Sequence, residues 1–182
     1  MQKAVIATFR TLVDFLLSEL AKVPLSGWTE SVLRFFYCKF LTASFPDIEQ
    51  FVECGKIDLV LKQGTASAFV EFKFYRHPVR HDPYDGFKRG FKGGPGPKNL
   101  AEFQSCVDQL SGRRSIPRLK KYIVLIYADP ADGSRPKSRY SKHYDKYRHP
   151  NGAVQLVRLK SRPLTGIDNV IVRAQLYEVR HR

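Results

Sequence analysis

Two apolar runs, Ile57 to Leu61 and Ala68 to Phe74, are rich in aliphatic, β-branched and aromatic residues, and Gln63, Gly64, Thr65 and Ser67 stand between them. That composition predicts the two arms of a β-hairpin. With residues 62–67 as the loop, Asp58 falls opposite Glu71, and side chains directly opposed on one sheet face are about 5 Å apart. The two-residue period of a strand puts Lys73 on the same face. Two carboxylates at that separation repel by about 3 kcal/mol at an effective dielectric of about 20. A half-buried sheet must compensate for this, and a divalent cation does so. Carboxylates with few other ligands nearby favour Mg²⁺, with Mn²⁺ as its substitute, and the neighbouring ammonium suits a reacting group that gains negative charge. The plainer alternative is a solvated strand face, in which Asp58 ends one strand while Glu71 and Lys73 alternate with buried Val70, Phe72 and Phe74.

The flanking sequence surrounds this hairpin with helices and further strands. Lys3 to Lys22 carries one apolar stripe (Val5, Phe9, Leu12, Val13, Leu16, Leu17, Leu20) and is closed by Pro24 and Gly27. Trp28 to Thr42 repeats the pattern as a second helix that begins just before Glu30. A first-turn glutamate either complements the helix dipole or joins the site, and both readings stand for Glu30. Pro46 to Cys54 supplies a short strand with Gly55 as the turn. Asn99 to Leu110 reads as a helix ended by Gly112, and Tyr122 to Tyr127 as a buried strand ended by Asp129 and Pro130. Pro136 to His149 has Tyr140, Tyr144 and Tyr147 at helical spacing, which favours core packing over base stacking. Ala153 to Lys160 and Asn169 to Val179 form a C-terminal β-hairpin through a turn with Pro163 and Gly166.

Lys and Arg total 31 against 17 Asp and Glu, a formal net charge of +14 and a pI near 9.9 in a 182-residue chain. Such a field attracts polyanions, and nucleic acid, DNA first, is the expected partner. The basic residues concentrate in a long loop over residues 76–98, where Arg76, Arg80, Lys88, Arg89, Lys92 and Lys98 interleave with glycines, prolines and aromatics, and again at Lys137, Arg139, Lys142 and Lys146. Loops of that length are functional or disordered, and this one leaves the strand that bears Glu71. No apolar run approaches bilayer-spanning length and the N-terminus lacks a secretory pattern, so a soluble cytoplasmic protein without membrane association is expected. Cys38, Cys54 and Cys106 form no C-x-x-C pair and are expected to be reduced. His77 with His81 and His143 with His149 lack partner cysteines at zinc spacing, and Gly93, Gly94 and Gly96 lack the Gly-Lys-Ser/Thr ending of a phosphate-binding loop.

A helix with an early glutamate, a hairpin carrying Asp58 and then Glu71-x-Lys73, a further helix and a further strand together resemble the core of the PD-(D/E)XK (restriction-endonuclease-like) nuclease superfamily, over about residues 28–128. The resemblance implies an α/β domain with a mixed central sheet flanked by helices. A basic loop at 76–98 and a C-terminal extension at 129–182 bearing the β-hairpin complete the single domain. It also implies that Asp58 and Glu71 are the metal-binding carboxylates, that the backbone carbonyl of Phe72 completes the metal shell, that Lys73 sits beside the attacking water, and that Glu30 is the helix glutamate many members add. Ile57 stands where many members have proline before the first acid. Gln104 and Gln109 both fall on the helix where some relatives place an accessory polar residue.

The expectation is a Mg²⁺-dependent endonuclease that hydrolyses phosphodiester bonds, with room for a homodimer. The rivals are a catalytically inactive nucleic-acid-binding module of the same fold and, more weakly, a basic protein-interaction scaffold. In hydrolysis the carboxylates hold the ion, and Lys73 either stabilises developing charge or, with a lowered pKa, helps deprotonate water. The loop carries its own test. Neutralising Lys88, Arg89 and Lys92 together should weaken nucleic-acid binding and flatten its salt dependence, by about 0.9 in logarithmic slope per lost phosphate contact on duplex DNA. Fluorescence anisotropy titrations over a salt series measure this, and an unchanged slope would place the binding face elsewhere.

Overall fold

The computed structural model describes residues 1–76, 95–113, 116–131, 139–150, 152, 154–165 and 170–180. Helix α1 (Gln2–Glu19) is followed by a 3-10 turn at Leu25–Gly27 and by α2 (Glu30–Ser44). Strands β1 (Glu49–Cys54), β2 (Ile57–Gln63) and β3 (Ala66–Arg76) then form two successive hairpins. Helix α3 (Pro97–Gly112) leads to β4 (Leu119–Pro130), the short α4 (Tyr140–Tyr144), β5 (Val154–Thr165) and β6 (Val170–Val179).

Among the described residues these strands make one six-stranded sheet in the order β1-β2-β3-β4-β6-β5, parallel between β3 and β4 and antiparallel elsewhere. The fold is therefore α/β with a mixed sheet flanked by helices. Both N-terminal hairpins are tight. Gly55 and Lys56, with φ of 57° and 65°, join β1 to β2, the positive-φ pair that matches the twist of the flanking strands. Gly64, at φ 55°, and Thr65 join β2 to β3, so the strands continue to Gln63 and Ala66, further than the sequence suggested. The parallel pair needs a crossover, and α3 lies on it.

The two faces of the sheet are packed differently. On one, α1 and α2 bury Val5, Phe9, Leu12, Leu33, Tyr37 and Leu41 against Leu59, Val70, Phe72, Val124 and Leu176. On the other, α3 and α4 bring Phe103, Val107, Tyr140 and Tyr144 against Tyr75, Ile123, Leu125, Tyr127 and Tyr177. The alternation along β3 follows directly, with Val70 and Phe72 facing α1 and α2, and Tyr75 facing α3 and α4.

Two sequence expectations need correction. Asp129 and Pro130 do not stand beyond β4 as breakers but are its last two residues, paired with Ile171 and Val170, so the strand runs past Tyr127 to Pro130. Asp129 is buried because its carboxylate accepts hydrogen bonds from the backbone N–H groups of Tyr140 (2.7 Å) and Ser141 (3.0 Å), satisfying donors at the start of α4. The C-terminal hairpin is present, yet β6 lies between β4 and β5, so the hairpin is part of the central sheet and no appendage.

Phe72 is 1 % exposed and meets the Tyr37 ring edge-on at 5.4 Å, so Phe72→Ala should lower the unfolding free energy by about 3–5 kcal/mol in urea titrations. Phe35, 63 % exposed on α2, gives the contrast: Phe35→Ala should change it by about 0.5 kcal/mol or less.

Candidate active site

The β2–β3 ladder pairs Val60 with Phe69 and Leu59 with Val70, and one further step sets Asp58 opposite Glu71. There the strands part, although β3 continues to Arg76. Backbone N–H groups beyond the parting still need acceptors. Carboxylates supply them: Phe72 N–H donates to Asp58 Oδ2 at 2.8 Å, and Phe74 N–H donates to Glu30 Oε1 at 3.1 Å. Glu30 reaches β3 because Thr29 caps α2, its hydroxyl accepting from Val32 N–H at 3.2 Å, which fixes Glu30 in the first helical turn. The first-turn acid is therefore more than a complement to the helix dipole.

Asp58, Glu71, Lys73 and Glu30 come together at this parting. Asp58 lies near enough to Glu71 for its charge to act on that carboxyl, so the two acids form an electrostatically coupled pair. Burial pushes the Glu71 carboxyl up to about 7, and the adjacent Asp58 charge adds to the rise against the pull of Lys73. Burial alone would lower Lys73, but Glu30, Cys106, Asp58 and Glu71 outweigh it and hold its pKa above the usual lysine range. That direction keeps Lys73 an ammonium and disfavours its service as a base.

Sequence reasoning missed Arg34. Its Nη1 donates to Asp58 Oδ1 at 3.1 Å and its Nη2 to Glu53 Oε1 at 2.6 Å. The available signal was spacing, since Arg34 follows Glu30 by four residues and so shares its face of α2. Also missed was the opposite wall. A cavity of about 330 Å³ is lined by Glu71 and Lys73, by Lys56 from the β1–β2 turn, and by Glu102, Ser105, Cys106 and Gln109 of α3. Of the two glutamines, Gln109 lines this cavity, while Gln104 lies beside the Tyr147 hydroxyl.

The expected nucleic-acid contacts divide into three groups. Arg76 is a correction: it is buried, and its guanidinium donates to the Leu25 carbonyl, so it belongs to the packing between β3 and the 3-10 turn. Lys98, Lys142 and Lys146 are exposed, and Arg139 is half-buried. Arg80, Lys88, Arg89, Lys92 and Lys137 lie outside the described residues. Tyr140 and Tyr144 are buried and Tyr147 packs against them, which is the core role expected of the tyrosines.

Among the described residues, no group of three or more His, Cys, Asp or Glu side chains is placed to hold a metal ion. The Asp58–Glu71 pair nonetheless has the chemistry for a hard cation, since Mg²⁺ commonly takes one or two carboxylates and completes its octahedron with waters and substrate oxygens. In a strand the N–H and C=O of one residue lie on the same edge, so the Phe72 carbonyl shares the edge on which Phe72 N–H meets Asp58.

Thiol reactivity reports the α3 wall independently. Cys54 is exposed, whereas burial pushes the Cys106 thiol up to about 12 and also raises Cys38. Because the thiolate is the nucleophile, a disulfide reagent at pH 8 should modify one thiol rapidly and two slowly. Cys54→Ser should remove the fast phase, and equal reactivity of Cys106 would mean that α3 does not bury this thiol against the sheet.

Comparisons with protein-family models, with curated proteins and with solved structures return no match to this chain.

Proposed function

We propose that this protein is a Mg²⁺-dependent nuclease with a restriction-endonuclease-like core, acting on DNA. The observation that carries the reading is the electrostatically coupled Asp58–Glu71 carboxyl pair, with the Lys73 ammonium beside Glu71 at the same cavity. Asp58, Glu71 and the Phe72 carbonyl would hold the ion. When bound, Mg²⁺ neutralises phosphate charge and orients water for in-line attack. Lys73 supplies a fixed positive charge where the phosphorane gains negative charge, a role its raised pKa supports. Glu30 holds the Phe74 amide and adds to the negative field that keeps Lys73 protonated. Gln109 and Lys56 are positioned at the cavity to meet polar or anionic substrate groups. The net charge of +14 supports a polyanionic substrate.

The second reading is a binding module of the same fold without turnover. It is favoured by the Arg34–Asp58 ion pair, which neutralises one acid without a metal.

Purified protein incubated with duplex, branched and single-stranded DNA in Mg²⁺ or Mn²⁺ separates the two. Asp58→Asn, Glu71→Gln and Lys73→Met should each lower cleavage at least about a hundredfold while leaving most of the DNA affinity. Binding without metal-dependent cleavage by the parent protein supports the module, and undiminished cutting by Asp58→Asn would locate the activity elsewhere.

A further inference from the structure

Across three strands the register lines up three acids. Val52 pairs with Leu59 and Cys54 with Ile57, which brackets Glu53 against Asp58, and Asp58 in turn stands opposite Glu71. Glu53 has a φ of 53°, a left-handed conformation rare for glutamate, at the end of the edge strand. Arg34 spans the first two acids, with its side chain 12 % exposed, Asp58 24 % and Glu53 71 %. The guanidinium thus occupies Asp58 Oδ1, while Oδ2 takes the Phe72 amide.

We propose that Arg34 is a resident counter-cation of the acid pair that competes with a divalent ion for Asp58, with Glu53 drawing the guanidinium aside. Arg34 is thereby a residue that sets metal affinity without touching the substrate. This rests on the metal-dependent reading above. Orientation and charge are separable at Asp58. Asp58 is oriented by its place in β2 and by the Phe72 N–H, both of which persist without Arg34. What Arg34 adds is one positive charge beside the ligand and a claim on one of its oxygens. Even with the screening of bulk water, a unit charge about 6 Å from a divalent ion changes its affinity by about tenfold. Removing Glu53 acts with the opposite sign, because it deletes a negative charge and leaves Arg34 to Asp58 alone.

Mn²⁺ binding measured by isothermal titration calorimetry and by electron paramagnetic resonance of the free ion tests this without reference to cleavage. Arg34→Gln should bind Mn²⁺ about tenfold or more tightly than the parent, Arg34→Lys should stay near the parent, and Glu53→Gln should bind several-fold more weakly. Asp58→Asn added to Arg34→Gln should abolish the gain. A merely structural role for Arg34 predicts weaker binding in both Arg34→Gln and Glu53→Gln, so opposite signs support the proposal and equal signs overturn it. Should Arg34→Gln fail to fold by circular dichroism, Glu53→Gln at its exposed position decides alone, and an affinity unchanged from the parent overturns the proposal. Parent binding with no gain in a folded Arg34→Gln overturns this inference and leaves the metal reading standing. No Mn²⁺ binding in any variant overturns both.

Discussion

The site depends on where β2 and β3 part company. A ladder carried to the end of β3 would have satisfied the amides of Phe72 and Phe74 with strand carbonyls and left the acids as surface groups. Because pairing stops after Leu59–Val70, two half-buried amides need other acceptors, and Asp58 and Glu30 provide them. An amide left unpaired in such a place costs about 1–3 kcal/mol, so the carboxylates are held there by the backbone itself. Their positions are consequences of hydrogen-bond completion before any chemistry is considered.

Charge balance follows from the same parting. Glu30, Asp58 and Glu71 converge from α2, β2 and β3, against Lys73 and Arg34. The two cations differ in kind. Lys73 lies between the acids and α3, where it faces the cavity, whereas Arg34 approaches from α2 and holds Asp58 to the edge strand through Glu53. The arrangement sets one cation that lines the cavity beside one that is held between two carboxylates.

Much of this was legible in the chain. The parity of the hairpin placed Asp58, Glu71 and Lys73 on one face, and parity survives an error in loop length: the real turn is only Gly64–Thr65, yet the register is the same. Helical periodicity found α1, α2 and α3. What periodicity cannot show is where a polar side chain finds its partner across the fold. Arg76 looked like the start of a basic surface because it adjoins charged sequence, but it caps the Leu25 carbonyl. Asp129 looked like a strand breaker, yet it accepts from α4. Arg34 carried a spacing clue and no more, since its significance lies in two residues on β1 and β2.

The order of elements has a consequence for how the site is assembled. Glu30, Arg34, Glu53, Asp58, Glu71 and Lys73 all come from α2 and the two hairpins that follow it, joined by turns of two residues within the hairpins. The α3 wall and β4 arrive only after the crossover from Arg76 to Leu119, whose closure costs more conformational entropy. Local contacts form before non-local ones are rewarded. The two hairpins that carry Glu53, Asp58, Glu71 and Lys73 therefore close on short turns of their own, without the long crossover that brings the parallel strand and its helix.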